Sequence, residues 1–211
     1  MNPIPLFSSL VSIVGVSLLI RNYMEGKSLI ALIFSFQLFD MFIGQILEFL
    51  SSSIGWDTLM YKIYYFSSPL SAGILAVGVL YASNRGRYGK IFTLYLFILS
   101  LILLYKMMFT EVYRDKLMEL GEYVGGQALP NDVRIISPLF TIPSGLIILG
   151  ISLYEIWRSK FGNIGWILIF IGNLAFMMAG GLLRMGYGLL FLVGELIATA
   201  ILVAAYIRLS R

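Results

Sequence analysis

The sequence predicts an all-α, polytopic membrane protein with seven transmembrane helices, and three observations carry that reading. Of the 211 residues, 59% are hydrophobic and 12% charged, and the mean hydropathy of +0.90 lies outside the range of ordinary soluble domains. Apolar runs at 4–20, 29–49, 59–82, 91–109, 136–157, 164–185 and 189–207 approach or exceed the roughly 20 residues that cross a bilayer as a helix. Only the connection 110–135 is long, so residues 1–211 read as a single transmembrane domain.

The first run has no basic segment before it and no A-x-A-like site after it, so it reads as a retained helix rather than a signal peptide. Arg21, Lys27, Arg85, Arg87, Lys90, Arg158, Lys160, Arg208 and Arg211 fall on one side of the predicted membrane, against Lys62, Lys106, Arg114, Lys116, Arg134 and Arg184 on the other. An excess of Lys and Arg marks the cytoplasmic side. This places the N-terminus outside and the C-terminus in the cytoplasm, in the cell membrane.

The second run, LIALIFSFQLFDMFIGQILEF, carries Gln37, Asp40, Gln45 and Glu48. At roughly 100° per residue these four share less than half of the helix circumference. Polar groups at membrane depth are costly unless they face protein or water, so this helix is expected to turn that stripe inward. The third and seventh runs contribute Lys62, Glu195 and Thr199, and the sixth Asn173 and Arg184. Glu48, Lys62, Arg184 and Glu195 are expected to meet as opposite-charge pairs lining an outward-facing polar vestibule that ends at Asp40. The competing reading is that each is a paired or interfacial residue that fixes helix packing.

The fourth run precedes the long connection. There TEVYRDKLMELGEYV spaces Tyr113, Leu117, Leu120 and Val124 as one face of a short surface helix, followed by turn residues in GGQALPND. It is either a solvated loop with local helix or a lid. Pro69 and Pro143 are expected inside helices, and the small residues of 67–78 and 178–188 at close helix contacts.

An internal echo runs through the chain. Leu32-Ile33-Phe34, Leu38, Met41, Gly44 and Leu47 recur without gaps as Leu168-Ile169-Phe170, Leu174, Met177, Gly180 and Leu183, with Gln37 opposite Asn173. Residues 4–83 and 136–208 then form parallel repeats joined by a linker helix at 91–109 and the outer loop 110–135, a three-plus-one-plus-three arrangement of a type found in transporters. Chance similarity among abundant Leu, Ile and Gly is the competing explanation.

The chain has no Cys and no His, which removes disulfides, thiol chemistry and the usual Zn, Cu, Fe and haem ligands. No cofactor is expected. The net charge of +4 is dispersed through the gaps between apolar runs, so no nucleic-acid partner is expected either.

Tyr61-Lys62-Ile63-Tyr64-Tyr65-Phe66-Ser67-Ser68-Pro69-Leu70 resembles the third-helix pattern of the microbial rhodopsins, and Leu189-Leu190-Phe191-Leu192-Val193-Gly194-Glu195 with Ala198-Thr199 resembles their last helix. The resemblance implies a seven-helix bundle but not the family's chemistry. Thr199 stands where the family has the lysine that forms the retinal Schiff base, and Ile63, Met60 and Ile74 stand at positions of its acidic and arginine residues. A hydroxyl cannot condense with an aldehyde, so no covalent retinal is expected. The seven-helix sensory modules of some histidine kinases are a second resemblance.

With no H-E-x-x-H element and no nucleophile–base motif, an enzyme is not expected. The inward stripe, the internal echo and the resemblance to the microbial rhodopsins point to a non-photochemical, receptor- or transporter-like bundle that binds a small ligand or ion in its polar core. The alternative is a non-catalytic structural or accessory subunit of a larger membrane complex. The expected partners are membrane lipid and either other membrane subunits or a separate signalling protein.

Overall fold

In hydrocarbon every backbone N–H and C=O needs a partner from the protein itself, and an apolar chain meets this requirement by forming helices. The computed structural model describes residues 2–120 and 126–210, without the side chains of Glu119, Leu120 and Arg184. Seven of its helices are long and apolar enough to cross a membrane, and the protein is an integral membrane bundle. These are α1 (Ile4–Gly26), α2 (Leu29–Ile54), α3 (Thr58–Ala82), α4 (Gly86–Phe109), α7 (Ile136–Arg158), α8 (Ile164–Arg184) and α9 (Gly188–Leu209), with the short α5 (Arg114–Leu120) and α6 (Asn131–Arg134) between α4 and α7.

The helices outlast the apolar runs. α1 and α2 continue through polar residues to Gly26 and Ile54, because propagation adds a hydrogen bond per residue wherever nothing stops it. What stops them is left-handed backbone, at Lys27 (φ 51°) and Gly55 (φ 80°). Starts are fixed by side-chain caps. The Ser28 hydroxyl accepts from Ala31 N, the Asp57 carboxylate from Leu59 N and Met60 N, and the Asn163 side chain from Gly165 N.

α1, α2, α3, α7, α8 and α9 close a ring in that order, each packed on the next and α9 on α1, while α4 packs on α3 from outside. The end of the bundle holding the N-terminus is called upper here. Leucine, isoleucine and phenylalanine side chains such as Phe36, Leu94, Phe97 and Leu146 face outward, as lipid-facing residues do.

The centre of the lower half is a stacked pair, Phe34 on α2 and Tyr206 on α9, with ring centroids 4.2 Å apart and planes 9° from parallel. Both are fully buried. Gly78 of α3 makes room for them, since a Cβ there would collide with the Phe34 ring.

Proline chemistry sets the place of α4. Pro143 has no N–H, so the carbonyl four residues earlier, Leu139, has no donor within α7. The Tyr95 hydroxyl of α4 donates to that oxygen at 2.7 Å. A freed carbonyl in an apolar layer thus becomes the pin between α4 and α7.

The described residues of the long connection form a packed cap rather than a solvated loop. Leu117, Ala128, Leu129 and Val133 are buried in one cluster with Tyr61, Leu103, Met107 and Phe140, and Tyr113 N donates to Ala128 O at 2.9 Å. Leu117 faces inward as its spacing predicts, whereas Tyr113 is 46% exposed. Val124 lies outside the described residues, as does the Leu120 side chain. Part of the turn sequence coils, as a 3-10 turn at Gly126–Ala128 and the single turn of α6.

The Gly78 contact is testable. Alanine ordinarily gains roughly 0.5–1 kcal/mol over glycine in a helix, but overpacking costs about 1–3 kcal/mol. Gly78→Ala is expected to lower the melting temperature in detergent, whereas Gly150→Ala, with open space around its Cβ, is expected to hold or raise it. Equal behaviour of the two variants would contradict the packing described.

Candidate functional site

The inward stripe of α2 meets hydroxyls and carboxyls from three neighbours. At its centre is Gln45, fully buried. Ser12 of α1 donates its hydroxyl to Gln45 Oε1 at 2.7 Å, and Gln45 Nε2 donates to Glu195 Oε1 at 3.2 Å and Thr199 Oγ1 at 3.0 Å, both on α9. Thr199 passes its own proton back to the Glu195 carbonyl, four residues earlier, at 2.8 Å. One amide therefore ties three helices together.

One turn above Gln45, Glu48 accepts from the Tyr64 hydroxyl of α3 at 2.7 Å through Oε1. The Glu48 and Glu195 carboxyls lie within hydrogen-bonding reach of each other. Both residues are 7% exposed, and among the described residues the Oε2 atom of each has no hydrogen-bond donor. Among the described residues no cation pairs with either. Above them Trp56, in the α2–α3 turn, covers Tyr64 with centroids 5.0 Å apart and meets Tyr61 edge-on at 5.9 Å.

Below them, the α2–α3 seam continues downward. Ser67 donates to Asp40 Oδ1 at 2.9 Å, and Gln37 Nε2 donates to Ser71 Oγ at 2.9 Å. Asp40 Oδ2 and Gln37 Oε1 have no donor among the described residues. At about 1.5 Å rise per residue, the ladder from Glu48 to Gln37 covers roughly 16 Å of depth. It passes Asp40, which is half-buried, and ends one turn deeper at Gln37.

Among the described residues no opposite-charge pair forms at Glu48 or Glu195. Glu48 faces Glu195, an acid, and Lys62 is not part of the core. Tyr64 points at Glu48, and a residue two positions away on a helix points to the opposite side. Lys62 therefore lines a groove of about 670 Å³ beneath the upper connection, with Thr58, Phe109, Glu111 and Asp115. The Arg184 side chain lies outside the described residues. Asn173 is buried in α8 and donates to Met177 Sδ at 3.5 Å, with no hydrogen bond to the ladder among the described residues. Thr199, at the position of the rhodopsin lysine, is fully buried against Gln45, whereas Ile63 is 42% exposed.

Sequence reasoning did not single out Ser12, Tyr64, Trp56 or Ser71 as site residues. The available signal for Ser12 is a hydroxyl set at Ser8 and Ser12, four apart on one face of an apolar helix. For Tyr64 and Ser71 it is a spacing of seven, with Ser67 between them, that puts the three on one face of α3. Set beside known proteins, the chain matches no family model, no curated protein and no solved structure. The chemistry of the site is read from its own atoms.

Interhelical hydrogen bonds in membranes contribute about 0.6 kcal/mol each, so the three side-chain bonds of Gln45 amount to about 2 kcal/mol. Gln45→Ala is expected to destabilise the bundle by that amount and Ser12→Ala by about a third of it. Thermal unfolding in lipid nanodiscs measures both. An equal loss in the two variants would remove Gln45 from the centre of the network.

Proposed function

We propose that this protein is a receptor- or transporter-like membrane bundle whose polar core takes up a cation, in the simplest case a proton, between Glu48 and Glu195. The observation that carries the proposal is the pair of buried carboxyls facing each other, with an oxygen on each that is unpartnered among the described residues. Two like charges in a low-dielectric site repel strongly, and a shared positive charge between them relieves both the repulsion and the missing hydrogen bonds. Every other group at the site supplies oxygen or an amide, which suits a hard cation or a proton. The role is non-enzymatic and, with Thr199 at the Schiff-base position, non-photochemical. The rhodopsin-like helix motifs and the arrangement of the two three-helix segments as halves of one ring, with α4 outside, support a bundle that responds to what it binds.

Under this proposal the upper end faces outward. The nine-to-six division of basic residues favours it, and Trp56 with its tyrosines then closes the site against the outside. A single cysteine replacing Asn84 should resist an impermeant maleimide in intact cells, and one replacing Glu111 should react. The reverse pattern would invert the orientation.

Trp56 also serves as a reporter, since it covers the tyrosine that donates to Glu48. With Trp157→Phe and Trp166→Phe as background, its emission in nanodiscs is expected to change on titration with acid or with Na⁺. Glu48→Gln and Glu195→Gln should abolish the change, while Asp40→Asn should leave it in place. Emission indifferent to both cations, or an unchanged response in the Glu48→Gln/Glu195→Gln double variant, would refute the proposal. Proteoliposome flux of the active cation then separates transport from sensing.

A further inference from the structure

The lower half of the bundle holds a second feature, unrelated to the acid pair. Below the Tyr95–Leu139 pin, a groove of about 540 Å³ lies between α4 and α7, lined by Leu80, Phe92, Tyr95, Pro143 and Ile147 with Arg85 at its lower mouth. That volume falls within the roughly 300–1,000 Å³ of small-molecule sites. Its walls are apolar and it opens sideways, toward the hydrocarbon layer.

The mouth has the opposite character. Arg85 Nη1 donates to Glu155 Oε1 at 2.9 Å, and the guanidinium lies 4.8 Å from the centroid of the Tyr154 ring. Its Nε and Nη2 have no hydrogen-bond partner among the described residues. Arg87 and Lys90 follow on the first turn of α4, both exposed, and Arg158 and Lys160 follow at the end of α7. Glu155 is the one acid in these two segments, and Arg85 and Arg158 both lie against it. Tyr88 (65% exposed) and Trp157 (75% exposed) supply the amphipathic rings that settle at a membrane interface.

We infer that this groove is a binding site for an anionic phospholipid, with one acyl chain between α4 and α7 and its phosphate at the free edge of Arg85, within the field of Arg87 and Lys90. An apolar slot alone would accept any lipid tail. The surplus of positive charge at the interfacial end selects for a negative headgroup, as basic pockets between transmembrane helices do. The pinned upper end and open lower end fix the direction of the lipid, tail toward Tyr95 and headgroup at the lower interface.

The purified full chain in dodecyl maltoside is titrated with dioleoyl phosphatidylglycerol or dioleoyl phosphatidylcholine, with retained lipid read by native mass spectrometry and melting temperature in parallel. Phosphatidylglycerol is expected to be retained at least about tenfold more strongly and to raise the melting temperature. The exposed Arg87→Gln/Lys90→Gln pair should bring retention down roughly tenfold or more, toward the phosphatidylcholine level. Ile147→Phe, which fills the groove and leaves the charges, should reduce retention of both lipids. Equal retention of the two lipids by the parent protein would overturn the inference. So would a phosphatidylglycerol preference unchanged in both variants, or a cross-linked second copy occupying the groove.

Discussion

The structure depends on one constraint, that a polar group at the depth of the hydrocarbon must be satisfied by the protein. Gln45 shows how far the consequences reach. Its carboxamide accepts from α1 and donates twice to α9, so α2 can seat that residue only where both neighbours present oxygen to it. The contacts of α9 with both α1 and α2 are the packing this one side chain requires. Apolar packing then completes the ring, with Phe34 on Tyr206 below and small residues such as Gly78 permitting the close approach.

The same constraint places α4. α4 lies outside the ring, and its side-chain hydrogen bond to α7 goes to a carbonyl that Pro143 leaves free. The result is a bundle with two chemically distinct ends. The upper end carries buried acids beneath an aromatic cover, and the lower end carries basic residues around a lateral groove.

Much of this was legible in the sequence, for definite reasons. A bilayer imposes length and hydropathy on each span, so the seven helices could be read directly. The period of 3.6 residues made the inward stripe of α2 visible, and Gln37, Gln45 and Glu48 are buried as the stripe requires. Partners were less legible because they depend on the azimuth of a second helix. Counting Lys62 among the inward charges assumed that α3 turned it inward; the helix turns Tyr64 inward instead, and Glu48 meets Glu195. The long connection reads as polar from composition, yet Leu117, Leu129 and Val133 anchor it to α3, α4 and α7 through contacts far apart in sequence. The Tyr95–Leu139 pin was hidden for the same reason: Pro143 announces a free carbonyl but not which helix will claim it.

The central claim is that Glu48 and Glu195 act as one site. A double-mutant cycle on Glu48→Gln and Glu195→Gln, read by unfolding in nanodiscs, tests it most directly. An amide at either position gives the facing unpartnered oxygen a donor, so each single variant is expected to be more stable than the parent. The second substitution should then add nothing, leaving a coupling of about 0.5–3 kcal/mol between the two positions. Strict additivity would show that the carboxyls act independently and would contradict the account.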